Sequence, residues 1–171
     1  NLHYMGRANA VKFYIWPAKK KVEKPKDIAG MRVRSMIHCD PLIKALGGIP
    51  VTIKTVEAYT ALERGVCNAF AGDVFVVQDL KLWEVVKYVI DPPCFDKTAA
   101  DLVMNLDTWK ALPKNLQDMM TQIEIEFDQD IPAWTVEQER LAMEQAQAAG
   151  MQIIKFSPED ANAYREVYHR Y

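Results

Sequence analysis

Over residues 27–73, DIAGMRVRSMIHCDPLIKALGGIPVTIKTVEAYTALERGVCNAFAGD, the hydrophobic pattern switches between the periods of strand and helix. Apolar and polar residues alternate across 31–36, with Met31, Val33 and Ser35 on one side and Arg32, Arg34 and Met36 on the other, the period of a strand. Asp40-Pro41 supplies a capping acid and a proline suited to the first helical position, so a short helix runs to Leu46 and Gly47 closes it. Residues 50–53 read as the next strand. Thr55 is an N-cap, Val56, Tyr59 and Leu62 follow at helical spacing, and Gly65 ends that helix. Residues 66–70 are strand-like again. This alternation predicts an α/β domain with a largely parallel sheet. Such sheets bind ligands beyond the carboxyl ends of their strands, near helix starts. Arg34 lies near such an end, where it can hold a carboxylate; the spacing alone equally admits a salt-bridged surface arginine.

The flanks carry the pattern outwards. Residues 11–16, VKFYIW, are aromatic and β-branched and predict a strand that Pro17 stops, with Phe13 and Ile15 on one face and Tyr14 and Trp16 on the other. Residues 18–26, AKKKVEKPK, form a charged connector, read as a solvated crossover loop rather than a nucleic-acid patch. Helical spacing recurs over 80–88, Asp91-Pro92-Pro93 breaks any element, and 99–104 is a further strand. Asp107 caps a short turn. Pro113 then opens the longest helix, whose stripe of Leu116, Met119, Met120, Ile123, Phe127, Ile131 and Trp134 predicts a buried face. Pro132 falls inside that stripe and predicts a kink or a division. Glu124, Glu126, Asp128 and Asp130 read as its wet side. Helix continues over 138–148, then Gly150, a strand at 151–156, and a last helix capped by Ser157 with Pro158 at its first position.

Composition narrows the function. A chain of 171 residues suffices for one core, and a net charge of −2 gives no basic field for nucleic acid. No apolar run is long enough for a membrane helix, and residues 1–10 lack the charged-then-apolar order of a signal peptide. The odd count of three cysteines, Cys39, Cys67 and Cys94, leaves at least one free or paired with another chain. No hydrolase, zincin, P-loop or dinucleotide motif occurs. His3, His38 and His169 are scattered, and the spacing of His38-Cys39-Asp40 is wrong for zinc. Gly47-Gly48 reads as a helix cap rather than a phosphate loop. Neither a catalytic residue, a cofactor nor a metal is expected.

The residues resemble a family. Asp27-Ile28-Ala29-Gly30-Met31-Arg32-Val33-Arg34 is similar to the D-L-x-G-(L/M/K)-(K/R)-(I/V)-R motif of the solute-binding proteins of TRAP transporters, the DctP type. In register, Ala45-Leu46-Gly47 with Ile49-Pro50-Val51 resembles A-L-G-A-x-P-V, and residues 57–66, EAYTALERGV, resemble E-V-Y-x-A-L-(Q/E)-R-G-V. Further on, Lys81-Leu82-Trp83-Glu84-Val85 with Lys87-Tyr88, and Val103-Met104-Asn105 with Trp109 and Leu112-Pro113, resemble later family motifs. The resemblance covers residues 5–168 and implies a periplasmic-binding-protein-like α/β fold. That fold has two α/β domains with crossovers and a long helix, and the first half of domain I is missing from this chain. Residues 1–20 would be a crossover strand from domain I, 21–105 the ligand-binding domain II, 106–150 the return to domain I with the long helix, and 151–171 the terminal strand and helix.

The resemblance further implies a periplasmic binding protein that captures organic acids and hands them to membrane permease subunits. Arg34 matches the arginine that pairs with the ligand carboxylate, for which a planar guanidinium is suited. Two departures stand out: Gly72 replaces a ligand-bonding asparagine, and Tyr14 stands where some members carry a second arginine. A monocarboxylate, an aromatic acid or a hydroxy acid is therefore expected, with Tyr14, Trp16 and Phe70 as walls, and Asp73 either a ligand acceptor or a helix cap. The competing reading is a small α/β enzyme with Arg34 as clamp and Asp73 or His38 as base; a third is a fragment without binding activity. A chain stripped of neighbouring strands is also expected to self-associate, by exchange of the helix at 113–148.

Overall fold

The computed structural model describes residues 1–168; His169 and the two residues after it lie outside the described residues. The chain divides into two compact units, residues 1–11 with 97–140 and residues 12–96 with 141–171.

The larger unit is built on a sheet that begins with the end of β1 (Leu2–Pro17) and contains β2 (Arg32–Ser35), β3 (Ile49–Thr52) and β4 (Ala69–Gly72). The order is β3-β2-β4-β1, with β6 (Phe95–Asn105) beyond β1. β2 is parallel to both β3 and β4, while β1 runs antiparallel to β4. The parallel pairs follow from the crossover helices, α1 (Asp40–Ala45) after β2 and α2 (Ala58–Glu63) after β3. β4 is Ala-Phe-Ala-Gly and buried throughout, as suits a strand enclosed on both sides. β1 begins at Leu2, well before the expected residue 11.

One core cluster lies on the face that carries Trp16 and Phe70, joined by Leu62, Val74, Val77, Leu82 and Val89 and by Ala142 and Ala146 of the long helix. Burying each large side chain contributes roughly 1.5–3 kcal/mol. The helical spacing over 80–88 resolves differently from expectation. A helix α3 (Val74–Asp79) precedes it, a 3-10 turn covers Leu82–Glu84, and β5 (Tyr88–Asp91) follows. β5 pairs in parallel with β7 (Gln152–Lys155) in a separate two-stranded sheet. α6 (Pro158–Tyr168) starts as expected, with Ser157 Oγ accepting from Asp160 N at 3.1 Å. The connector at 18–26 exposes Lys19, Lys20 and Lys21 but buries Val22, and the Asp27 carboxylate accepts from the backbone N–H groups of Glu23 and Lys24.

The smaller unit contains α4 (Leu106–Ala111) and most of α5 (Lys114–Ala148). Asn105, rather than Asp107, caps α4, its side chain accepting from the N–H groups of Asp107 and Thr108. The His3 and Trp109 rings stack at 3.9 Å, and Gln117 Nε2 donates to the carbonyls of Trp109 and Leu112, fixing the start of α5. Of the kink or division expected at Pro132, the division does not occur, and α5 continues through it. Proline removes one helical hydrogen bond, and the helix continues with Ile131 buried beside it. The expected buried stripe is corrected more sharply: Met119, Ile123, Phe127 and Trp134 are exposed, Trp134 at 56%. On the opposite side the acids read as wet are not uniform, since Glu124 is tucked against Gly6.

Candidate functional site

The strand registers assemble the site on one sheet face of the larger unit. Arg34 stands opposite Phe70 of β4 and Val51 of β3. Across β4 and β1, Phe70 is opposite Trp16, and Gly72 is opposite Tyr14. Cross-strand partners share a face and residues two apart along a strand share it too. Tyr14, Trp16, Arg34, Phe70 and Gly72 are therefore gathered together, although they are scattered over 59 positions of sequence (14 to 72).

Arg34 is 3% exposed and held along one edge of its guanidinium. Nε donates to the Ile53 carbonyl at 2.9 Å, and Nη2 donates to Thr55 Oγ1 at 2.7 Å. The guanidinium carbon lies 5.1 Å from the centre of the Phe70 ring. Nη1 is buried without a partner, and among the described residues no carboxylate lies within ion-pair distance of Arg34. Burial lowers the guanidinium's pKa, partly offset by the nearby Cys39 and Cys67 sulfurs, and a group that starts so basic stays charged. The result is a buried cation, rigidly aimed and lacking a counter-ion. Such a charge is costly unless an anion completes it.

Gly72 has a specific role here. A Cβ on it would lie 2.6 Å from Cε1 and Cζ of Phe70, so the ring occupies the space of a side chain at that position. Trp16 Nε1 donates to the Gly72 carbonyl at 2.9 Å. Trp16 and Phe70 are both fully buried and underlie the site; Tyr14 is half-buried beside them. Asp73 turns to the helix: its carboxylate accepts from Val76 N at 3.0 Å as the N-cap of α3.

Two sequence readings change. Thr55 does not cap α2 but accepts from Arg34, a role that the parallel β2–β3 register makes intelligible once pairing is known. Asp40 does not cap α1 either; its carboxylate accepts from Ser35 Oγ and ties the loop after β2 to that strand. Gly47 does close α1, with φ +77°. His38 packs its ring against Phe13 and Phe95, and Cys39 is buried with its thiol pushed up to about 12 by desolvation. Among the described residues there is no cluster able to hold a metal ion, and the three cysteines are free thiols.

Residues 6–171 match the family model described as bacterial extracellular solute-binding protein, family 7, named DctP. An uncharacterized protein of Haemophilus influenzae is 30% identical over 107 residues, 61% of this chain and 32% of that one. Among solved structures, DctP7, a Bordetella pertussis extracytoplasmic solute receptor binding pyroglutamic acid, superposes with a TM-score of 0.89 at 19% identity. The match covers 99% of this chain and 56% of that one. A TRAP periplasmic solute binding protein from Desulfovibrio salexigens with bound orotic acid gives 0.87 at 22% identity, covering 99% and 54%. The chain thus spans about half the length of these structures, and its α/β architecture is that of the periplasmic-binding-protein-like fold. The ordered motifs around Arg34 and the match along residues 6–171 lead to one assignment: the chain belongs to the DctP family of bacterial extracellular solute-binding proteins.

Proposed function

We propose that this chain is the part of a TRAP-type solute receptor that anchors a small organic acid through Arg34, outside the cytoplasmic membrane, for delivery to membrane permease subunits. One observation carries the reading: a buried, uncompensated guanidinium whose Nη1 has no partner. Because Nε and one Nη2 hydrogen are taken by Ile53 and Thr55, the end of the fork formed by Nη1 and the second Nη2 hydrogen is left for a carboxylate. Nη1 is shielded from solvent, so the ligand enters when the groups over it move aside, as in proteins that close around their ligands. The two solved structures named above hold organic acids, which supports the class. Within that class a single carboxylate is favoured, because Arg34 is the one cation among the five side positions gathered on this face. Binding rather than catalysis is supported by Asp73, whose Oδ1 serves as a helix cap, and by His38, packed between aromatic rings.

The test is a thermal-shift screen of small carboxylates against the chain, with Arg34→Ala and Arg34→Lys alongside. A ligand at a hundredfold excess over its Kd adds about 2.7 kcal/mol, a rise of roughly 5–10 °C for a domain of this size. The reading requires at least one acid to give such a rise and both variants, shown folded by circular dichroism, to lose it. A rise that survives Arg34→Ala removes Arg34 as the anchor.

A further inference from the structure

The larger unit has a cavity of about 450 Å³ at the other end of its strands. It opens where β1 ends at Ala18, where Gly30 and Met31 lead into β2, and where Asn68 leads into β4. Arg34 instead sits toward the carboxyl end of β2, so the two places lie toward opposite ends of that strand. The volume is within the usual range for small-molecule sites.

The lining is chemically one-sided. Its floor is apolar: Met31, Leu62 and Cys67, all buried. Its polar side chains are donors. Asn68 is fixed by Arg32, its backbone N–H donating to the Arg32 carbonyl at 2.6 Å and its Oδ1 accepting from Arg32 N at 3.0 Å. That orientation commits the amide oxygen and leaves Nδ2 as a donor without a partner among the described residues. Lys20 is steadied by donating to the Asp27 carbonyl at 2.8 Å and keeps further N–H bonds to offer, while Lys19 has no partner among the described residues. No acidic side chain lines the cavity, and the nearby Asp27 carboxylate is turned to backbone N–H groups. An apolar floor bordered by two lysines and an amide donor matches one class of ligand, a small organic anion with an apolar body.

We propose that this cavity is a second site for a small organic anion, separate from Arg34, with Lys19, Lys20 and Asn68 binding the charged end and Met31, Leu62 and Cys67 the apolar body. The experiment is a site-resolved NMR titration of the 171-residue chain with sodium benzoate, with sodium chloride as the control salt. The amides of Gly30, Gly65 and Asn68 report on the cavity, and that of Gly72 reports on the Arg34 face. The expected result is a saturable shift at the first three with benzoate but not with chloride. It should weaken about tenfold in the Lys19→Ala, Lys20→Ala double variant, the loss of a charge-assisted contact. Both lysines are exposed, so the double variant keeps the fold. The inference is overturned by an absence of saturable shifts at those amides, by equal shifts with chloride, or by unchanged affinity in the double variant. Shifts confined to Gly72 also overturn it, and assign benzoate to the Arg34 face alone.

Discussion

The centre of the Phe70 ring lies 5.1 Å from the guanidinium carbon of Arg34, and the ring can lie there because the next residue on the same face is Gly72. The aromatic face stabilises the cation where water does not, by roughly 2 kcal/mol for a desolvated contact. The side edge of the guanidinium is held by Ile53 and Thr55, so ring and hydrogen bonds together fix the orientation of the guanidinium.

A side chain at position 72 must therefore displace Phe70. Gly72→Asn is expected to destabilise the chain by about 1–3 kcal/mol, the usual penalty for overpacking a core. Phe70→Leu makes room, so the double variant should cost less than the sum of the single ones. Urea midpoints of the four proteins measure this coupling. Additive losses would show that the ring does not occupy the space of the side chain.

Alkaline pH is expected to destabilise the chain through its thiols. Desolvation raises the pKa of all three cysteines, Cys39 from 9.0 to about 12, so the folded state holds those protons longer than the unfolded chain does. The stabilisation is intact below pH 9.0 and declines as pH rises from there toward 12 for Cys39. The slope approaches about 1.4 kcal/mol per pH unit for each thiol. Urea unfolding between pH 7 and 10.5 should show this decline, and Cys39→Ala should make it shallower. An unchanged slope in that variant would mean that Cys39 ionises as readily in the folded chain as in the unfolded one.

The apolar row of α5 is expected to drive association of this chain. Ile123 is 55% exposed, and Met119, Phe127 and Trp134 stand exposed with it along one helix, the kind of apolar row that marks an interaction surface. Size-exclusion chromatography with light scattering should give a mass above the 19.6 kDa of one chain, rising with concentration. Ile123→Glu with Phe127→Glu should return it to that mass. A single-chain mass for the parent at high concentration would refute association.

The succession of strands and short helices in 27–73 is legible in the residues alone, because each is set by local periodicity and by caps that act within a few residues. Pro41, Gly47, Gly65 and Ser157-Pro158 begin or end elements where their local chemistry requires. The place of Arg34 near a strand end is legible from the periodicity of residues 31–36; its burial is not. Tertiary structure alone decided what surrounds it. Thr55 and Asp40 look like caps locally, yet Thr55 accepts from Arg34, which β2–β3 pairing brings within reach, and Asp40 accepts from Ser35 five residues earlier, because buried donors must be satisfied. Asp73 has two local readings, ligand acceptor and helix cap, and in the structure its Oδ1 caps α3, which starts at Val74. The α5 stripe shows the limit from the other side. A period of three and four residues marks a face able to be buried, but whether it is buried depends on what packs there, and in this chain Met119, Ile123, Phe127 and Trp134 stand in solvent while Ile131 does not.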